Sequence, residues 1–224
     1  MTTITKARLI YKIPIPNYSF GEELLNTLSH GVGAGLGLSA LVLCIIRGAM
    51  HGNALSVSSG IIFGLSLIIL YSMSAIYHGV RPGIAKRILR ICDHCTIFLL
   101  IAGSYTPFTL ITLRGPVGWT LFGIIWGMAV LGIILNACDL ERFKKFSMVC
   151  YLVMGWCVVL TFPTLKANLA PQGLALLIWG GVAYTIGAVI FGLGHKIKYM
   201  HSLWHFFVLA GSILHFLCVY LYVL

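Results

Sequence analysis

Seven runs of about 20 mostly apolar residues, parted by short basic gaps, constrain this chain more than any other feature. A helix of that length crosses the hydrocarbon core of a bilayer and satisfies its own backbone groups there. The runs are Leu25–Gly48, Ala54–Tyr77, Thr96–Leu113, Gly118–Cys138, Phe146–Leu165, Leu174–Leu193 and Leu203–Leu224. The expected fold is therefore all-α, a bundle of seven transmembrane helices joined by short loops. Residues 1–20 read as a polar N-terminal segment, and residues 21–224 as one transmembrane domain. Composition agrees. The chain is 59% hydrophobic and 9% charged, whereas a soluble domain is about 45–50% apolar and about 25% charged. That excludes an ordinary soluble protein and a disordered one. The 7 Cys are odd in number and scattered through apolar stretches, so a disulfide framework is not expected.

The formal net charge is +10, from 15 Lys and Arg against 5 Asp and Glu. The cations sit in the gaps and form no extended basic face, so nucleic acid is not an expected partner. They report topology instead. Twelve fall on one side: Lys6, Arg8 and Lys12 before the first run, then those in the second, fourth and sixth gaps. Only Arg47, Arg114 and Lys166 fall on the other. Basic residues concentrate in cytoplasmic loops, so the N-terminus is expected in the cytoplasm and the C-terminus outside. The first 20 residues carry Lys6, Arg8, Lys12, Pro14 and Pro16 and lack the apolar core of a cleaved signal, so the first run is expected to be retained. Gly31, Gly33, Gly35 and Gly37 form two small-xxx-small pairs that predict a close helix contact. Pro107 predicts a kink or break in the third run, freeing a carbonyl near Gly103.

Ionisable groups inside a membrane are costly and default to functional candidates. His30, His78, Asp93, His94, His201 and His205 all fall toward the cytoplasmic ends of four runs. His201 and His205 are four residues apart and share a helix face, a spacing that lets two imidazoles hold one metal ion. Ser74 and His78 share a face in the same way. A catalytic zinc takes three protein ligands and leaves its fourth position to water. His78, His201 and His205 can supply the three, with Asp93 as proton acceptor and Ser74 as a donor to the water or an oxyanion. The same histidines could instead hydrogen-bond between helices or sit among headgroups, and spacing alone leaves both readings open. His94 points about 100° away from Asp93 around a helix and is expected behind the ligands or in packing. His215 lies about 15 Å deeper than His205 and is expected as a buried, satisfied histidine. His51 and His195 read as loop residues without a visible partner. Cys92-x-x-Cys95 reads as packing, and the Trp residues as interface or core. Glu22 and Glu23 read as solvated or interfacial.

Asn26 followed by Ser29-His30-Gly31, Ser74-x-x-x-His78, Asp93-His94, the Ala102–Phe108 stretch with Pro107, and His201-x-x-x-His205 resemble the motifs of the hemolysin III family. That family is the bacterial branch of the progestin and adipoQ receptor proteins. The resemblance runs from about Tyr18 to the end of the chain. It is strongest to bacterial members, particularly the Gram-negative inner-membrane type described as a membrane homeostasis protein. It implies seven helices and an intramembrane zinc near the cytoplasmic face. It also implies three histidine ligands, here His78, His201 and His205, and an aspartate acting through water, here Asp93, with Ser74 nearby. His30, next to Ser29 in the first motif, then stands behind the ligands, contacts a lipid headgroup or, as its position favours, hydrogen-bonds between helices. The superfamily's alkaline ceramidases imply lipid amide or ester hydrolysis, with membrane lipids as partners. A non-enzymatic sensor with structural zinc is the competing expectation. A pore is a weaker one, because no polar stripe reaches the outer face.

Overall fold

A computed structural model describes residues 10–11, 13–50, 53–193 and 197–224, and among these the only regular elements are helices. They are α1 (Phe20–Met50), α2 (Ala54–Gly79), α3 (Ile84–Pro107), α4 (Gly115–Trp156), α5 (Phe162–Asn168), α6 (Pro171–Leu193) and α7 (Met200–Cys218). A π-helical turn, Phe108–Leu113, continues α3, and another, Val219–Val223, continues α7. Among the described residues, six helices are long and apolar enough to cross a membrane. The expected runs Gly118–Cys138 and Phe146–Leu165 both lie in one helical run, Gly115–Asn168. Lys6, Arg8, Lys12, His51, His195 and Lys196 lie outside the described residues.

That long run is not straight. Asp139 has φ −160° and ψ 91°, which is extended rather than helical. Ser147 Oγ donates to Asn136 Oδ1 at 2.6 Å, whereas 11 residues of straight helix would separate them by about 16 Å. The two sides of Asp139 also meet α3 in opposite senses. Before it, Cys95 Sγ reaches the Ile133 carbonyl and Trp126 Nε1 reaches Thr106, an antiparallel match. After it, Tyr151 donates to the His94 carbonyl and Tyr105 donates to the Gly155 carbonyl, a parallel one. The chain therefore doubles back at Asp139.

The start of α1 is fixed by a capping box. Ser19 N donates to Glu22 Oε2 at 2.8 Å, and Glu22 N reaches Ser19 Oγ at 3.4 Å. Of the four glycines in α1, Gly33 and Gly37 form the close contact. A Cβ on Gly33 would lie 2.5 Å from the Tyr71 ring, and one on Gly37 would lie 3.2 Å from the Ile68 backbone. Gly31 and Gly35 have open space and take no part in the seam. One pair serves because only residues four apart share the face toward α2. Helix α3 begins at Ile84, twelve residues before the apolar run at Thr96, since Lys86, Arg87 and Arg90 are good helix formers excluded from the run only by charge. Pro107 does not end the helix. It lacks the N–H that would bond Gly103, and the backbone widens into π turns immediately afterwards.

Candidate metal centre

The last turn of α2 delivers His78, and the first turns of α7 deliver His201 and His205. All three are buried. His201 Nε2 lies 3.3 Å from His78 Nε2, and His205 Nε2 lies 3.2 Å from His201 Nε2. Among the described residues they are the one group of three potential ligands gathered within 4.8 Å.

The opposite edges of two rings decide what those nitrogens offer. His78 Nδ1 lies 2.6 Å from Glu23 Oε2. A carboxylate oxygen only accepts, so Nδ1 carries the proton and Nε2 presents a lone pair. Ser29 Oγ donates to the Asn26 carbonyl at 3.1 Å, leaving its oxygen to accept from His205 Nδ1 at 3.4 Å. His205 Nε2 is thereby bare as well. The bare Nε2 atoms of His78 and His205 both face His201 Nε2, which can meet one of them with its own proton or share a cation with both. Zinc with Zn–N bonds of about 2.0–2.1 Å and tetrahedral angles sets neighbouring ligand nitrogens about 3.3 Å apart. The separations from His201 Nε2 to the other two match, and all three residues lie within 4.8 Å, so they fit such an ion.

Glu23 corrects the expectation of a solvated acid. It bonds His78 through one oxygen and Lys86 Nζ through the other, at 2.6 Å each. Glu22 is likewise engaged, accepting from Ser19 and from Tyr199 N, the residue before α7. Lys86, expected in a loop, is buried to 2% exposure and donates to the His78 and Val80 carbonyls at the end of α2. It thus serves the orphan carbonyls of a helix C-terminus and the acid that orients His78.

The other expected site residues divide. Asp93 is buried, with the Ser74 hydroxyl and His78 within electrostatic reach. His30 is 1% exposed, too deep for a headgroup contact. Its ring stacks on His205 at a centroid distance of 3.6 Å, and neither ring nitrogen makes a hydrogen bond of normal geometry. His94 is outside the cluster: its carbonyl holds Tyr151 and its charged neighbours are Arg90, Glu141 and Lys144. His215 Nε2 donates to the Leu177 carbonyl, while its Nδ1 has no partner, so it is only half satisfied. Cys92 and Cys95 are free thiols.

Two aromatic residues with no assigned role also line the centre. Trp204 packs at 4.9 Å from His201 and 5.1 Å from His205. Tyr18, just before α1, stacks on His201 at 4.9 Å with 24° between planes and tilts against His78 at 5.8 Å. Burial pushes the Tyr18 phenol well above its usual range, so it stays protonated. Deeper in, Tyr71 packs edge-on to His30 and donates to Ser212, which also bonds Tyr184.

These features define a multi-pass helical membrane protein with a buried three-histidine centre. The family model described as haemolysin-III related matches residues 18–216, and the chain belongs to that family. It is 44% identical to Hemolysin-3 of Bacillus cereus over 203 residues, covering 91% of this chain and 92% of that protein. It is 42% identical to a Hemolysin-3 homolog of Bacillus subtilis (strain 168), covering 92% and 96%. A more distant relative is the human monocyte to macrophage differentiation factor, 28% identical over 72% of this chain and 68% of that protein. No solved structure matches the chain.

Proposed function

We propose that this protein is a zinc-dependent hydrolase of a lipid amide or ester bond, acting in membrane lipid homeostasis from the bacterial inner membrane. The gathering of three histidines within 4.8 Å, with His201 Nε2 at 3.3 and 3.2 Å from the Nε2 atoms of His78 and His205, carries this reading. With three protein ligands the ion keeps a position for water, the arrangement of catalytic rather than closed structural zinc. The doubling back at Asp139 makes two crossings of the run Gly115–Asn168 and seven in all. The distribution of basic residues then sets the N-terminus and the metal centre on the cytoplasmic side.

A bound zinc supplies a Lewis acid beside which water gives up a proton near neutral pH. Asp93 takes that proton, and the Ser74 hydroxyl holds its carboxyl in place. Glu23 keeps the proton of His78 on Nδ1, and Ser29 does the same for His205. Burial excludes bulk water, and lipid reaches the centre from the bilayer.

The test is metal content by mass spectrometry on detergent-purified protein, followed by a screen of amide and ester lipids. The expected result is one zinc per chain, lost in a His201→Ala, His205→Ala double variant. Asp93→Ala is expected to keep the metal and lose turnover. Lipid cleavage that persists in both variants overturns the reading. A metal retained without any turnover transfers the assignment to a structural zinc tying α2 to α7 in a membrane sensor.

A further inference from the structure

Residues 13–18 run across the histidine end of the bundle, and α3 holds them through their backbone. Arg87 Nη1 donates to the carbonyls of Tyr11 and Ile13. Arg90 Nη1 donates to the Pro14 carbonyl at 2.6 Å and pairs with Glu141 at 2.8 Å. Ile13 is buried at 6% exposure. Pro14 and Pro16 restrict the backbone between Ile13 and Tyr18. The segment ends on Ser19, whose capping partner Glu22 also accepts from Tyr199 N at 2.9 Å. One carboxylate therefore joins the end of this segment to the residue that opens α7, one position before Met200 and two before His201. Between these anchors Tyr18 lays its ring over His201 and against His78.

Anchors from three directions that bring one aromatic ring onto two ligand histidines do more than end a helix. The capping box alone suffices for α1. The arginine bonds to the carbonyls of Tyr11, Ile13 and Pro14 are needed only if the segment must lie across the centre.

We propose that residues 13–18 are a strap closing the aqueous side of the metal centre, with Tyr18 as the ring that fixes His201 and shields the ion from exchange. This rests on the metal reading above. Tyr18 is a positioning residue: it touches ligands and holds their geometry. Opening needs the strap to lift from Arg87 and Arg90, so the rate at which metal leaves is set at this segment, while lipid access from the bilayer is not.

The experiment measures transfer of zinc from the purified protein to the chromogenic chelator 4-(2-pyridylazo)resorcinol. Tyr18→Ala is expected to release zinc about threefold to tenfold faster than wild type, the range an aromatic pair supports. Tyr18→Phe keeps the ring and is expected to match wild type. Arg87→Ala leaves Tyr18 in place, frees the strap and is expected to release zinc faster as well. A second arm strips the metal and follows diethyl pyrocarbonate modification of His78 and His201 by peptide mass spectrometry. Both histidines are expected to react faster in Tyr18→Ala and Arg87→Ala. Equal rates in wild type and these two variants overturn the strap, as does a Tyr18→Phe rate equal to that of Tyr18→Ala. Wild type that holds no zinc overturns the metal reading instead, and the modification arm then decides on the strap.

Discussion

The two ends of the bundle solve the same problem differently. At the histidine end, charges are tied across helices. Glu23 of α1 joins His78 of α2 and Lys86 of α3, and Arg90 of α3 joins Glu141 of α4. At the far end, Arg114 Nε donates to the Ile111 carbonyl of its own turn, and Arg47 lies over the Tyr220 ring. The far end opens into a cavity of about 330 Å³ that both arginines line. Among the described residues, all four ion pairs belong to the histidine end. Cross-helix pairing in a low-dielectric setting commits each residue to one geometry, because a lost partner leaves a buried charge. At the far end Arg114 pairs within its own turn, and Arg47 meets the turn after α7 through a ring face rather than an ion pair. One end is built to hold a site and the other to meet water and headgroups.

The sharpest break of this contrast is Lys86→Ala. It leaves the Glu23 carboxylate and the carbonyls of His78 and Val80 without their donor, at an expected cost of about 3–5 kcal/mol. Arg114→Ala at the far end is expected to stay within about 0.5 kcal/mol. Thermal unfolding of both in the same detergent checks the difference, and equal losses would erase the distinction between the ends. Glu23→Gln is expected next. It keeps the shape but removes the carboxylate from His78, lowering metal affinity about 10–100-fold, as read by competition with a chelator of known affinity. The smallest effect tests the packing that carries both ends. Gly33→Ala drives a Cβ into the Tyr71 ring and is expected to cost about 1–3 kcal/mol. Gly35→Ala has open space and is expected to be neutral or mildly stabilising.

The grouping of the three histidines was legible in the sequence because two simple rules meet there. Four-residue spacing puts His201 and His205 on one face, and run boundaries put His78 and Asp93 at the same depth. Glu23 and Lys86 escaped for the converse reason. An acid before a run resembles an interfacial residue, and a lysine between runs resembles a topology marker. Only the packing of α1, α2 and α3 shows that they meet. The signal Ser19-x-x-Glu22 was available as a capping box, but its link to Tyr199 spans 177 residues and has no local signature. Tyr18 was readable only as the start of the family resemblance. The apolar runs gave the helices well except at α3, where charge hid twelve helical residues, and the gap between the fourth and fifth runs opens at Asp139, the one extended residue in that helical run.

The order in which the chain is made bears on the centre. His78 and His201 are 123 residues apart, and at about 5–20 residues per second the ribosome takes roughly 6–25 seconds to travel between them. Glu23 is made before that interval opens and Lys86 only a few residues into it. The acid and the lysine can therefore fix the first ligand's proton while α7 is still unmade. A newborn chain then waits with one oriented imidazole, and the three-histidine group is completed only when the helix bearing the other two arrives.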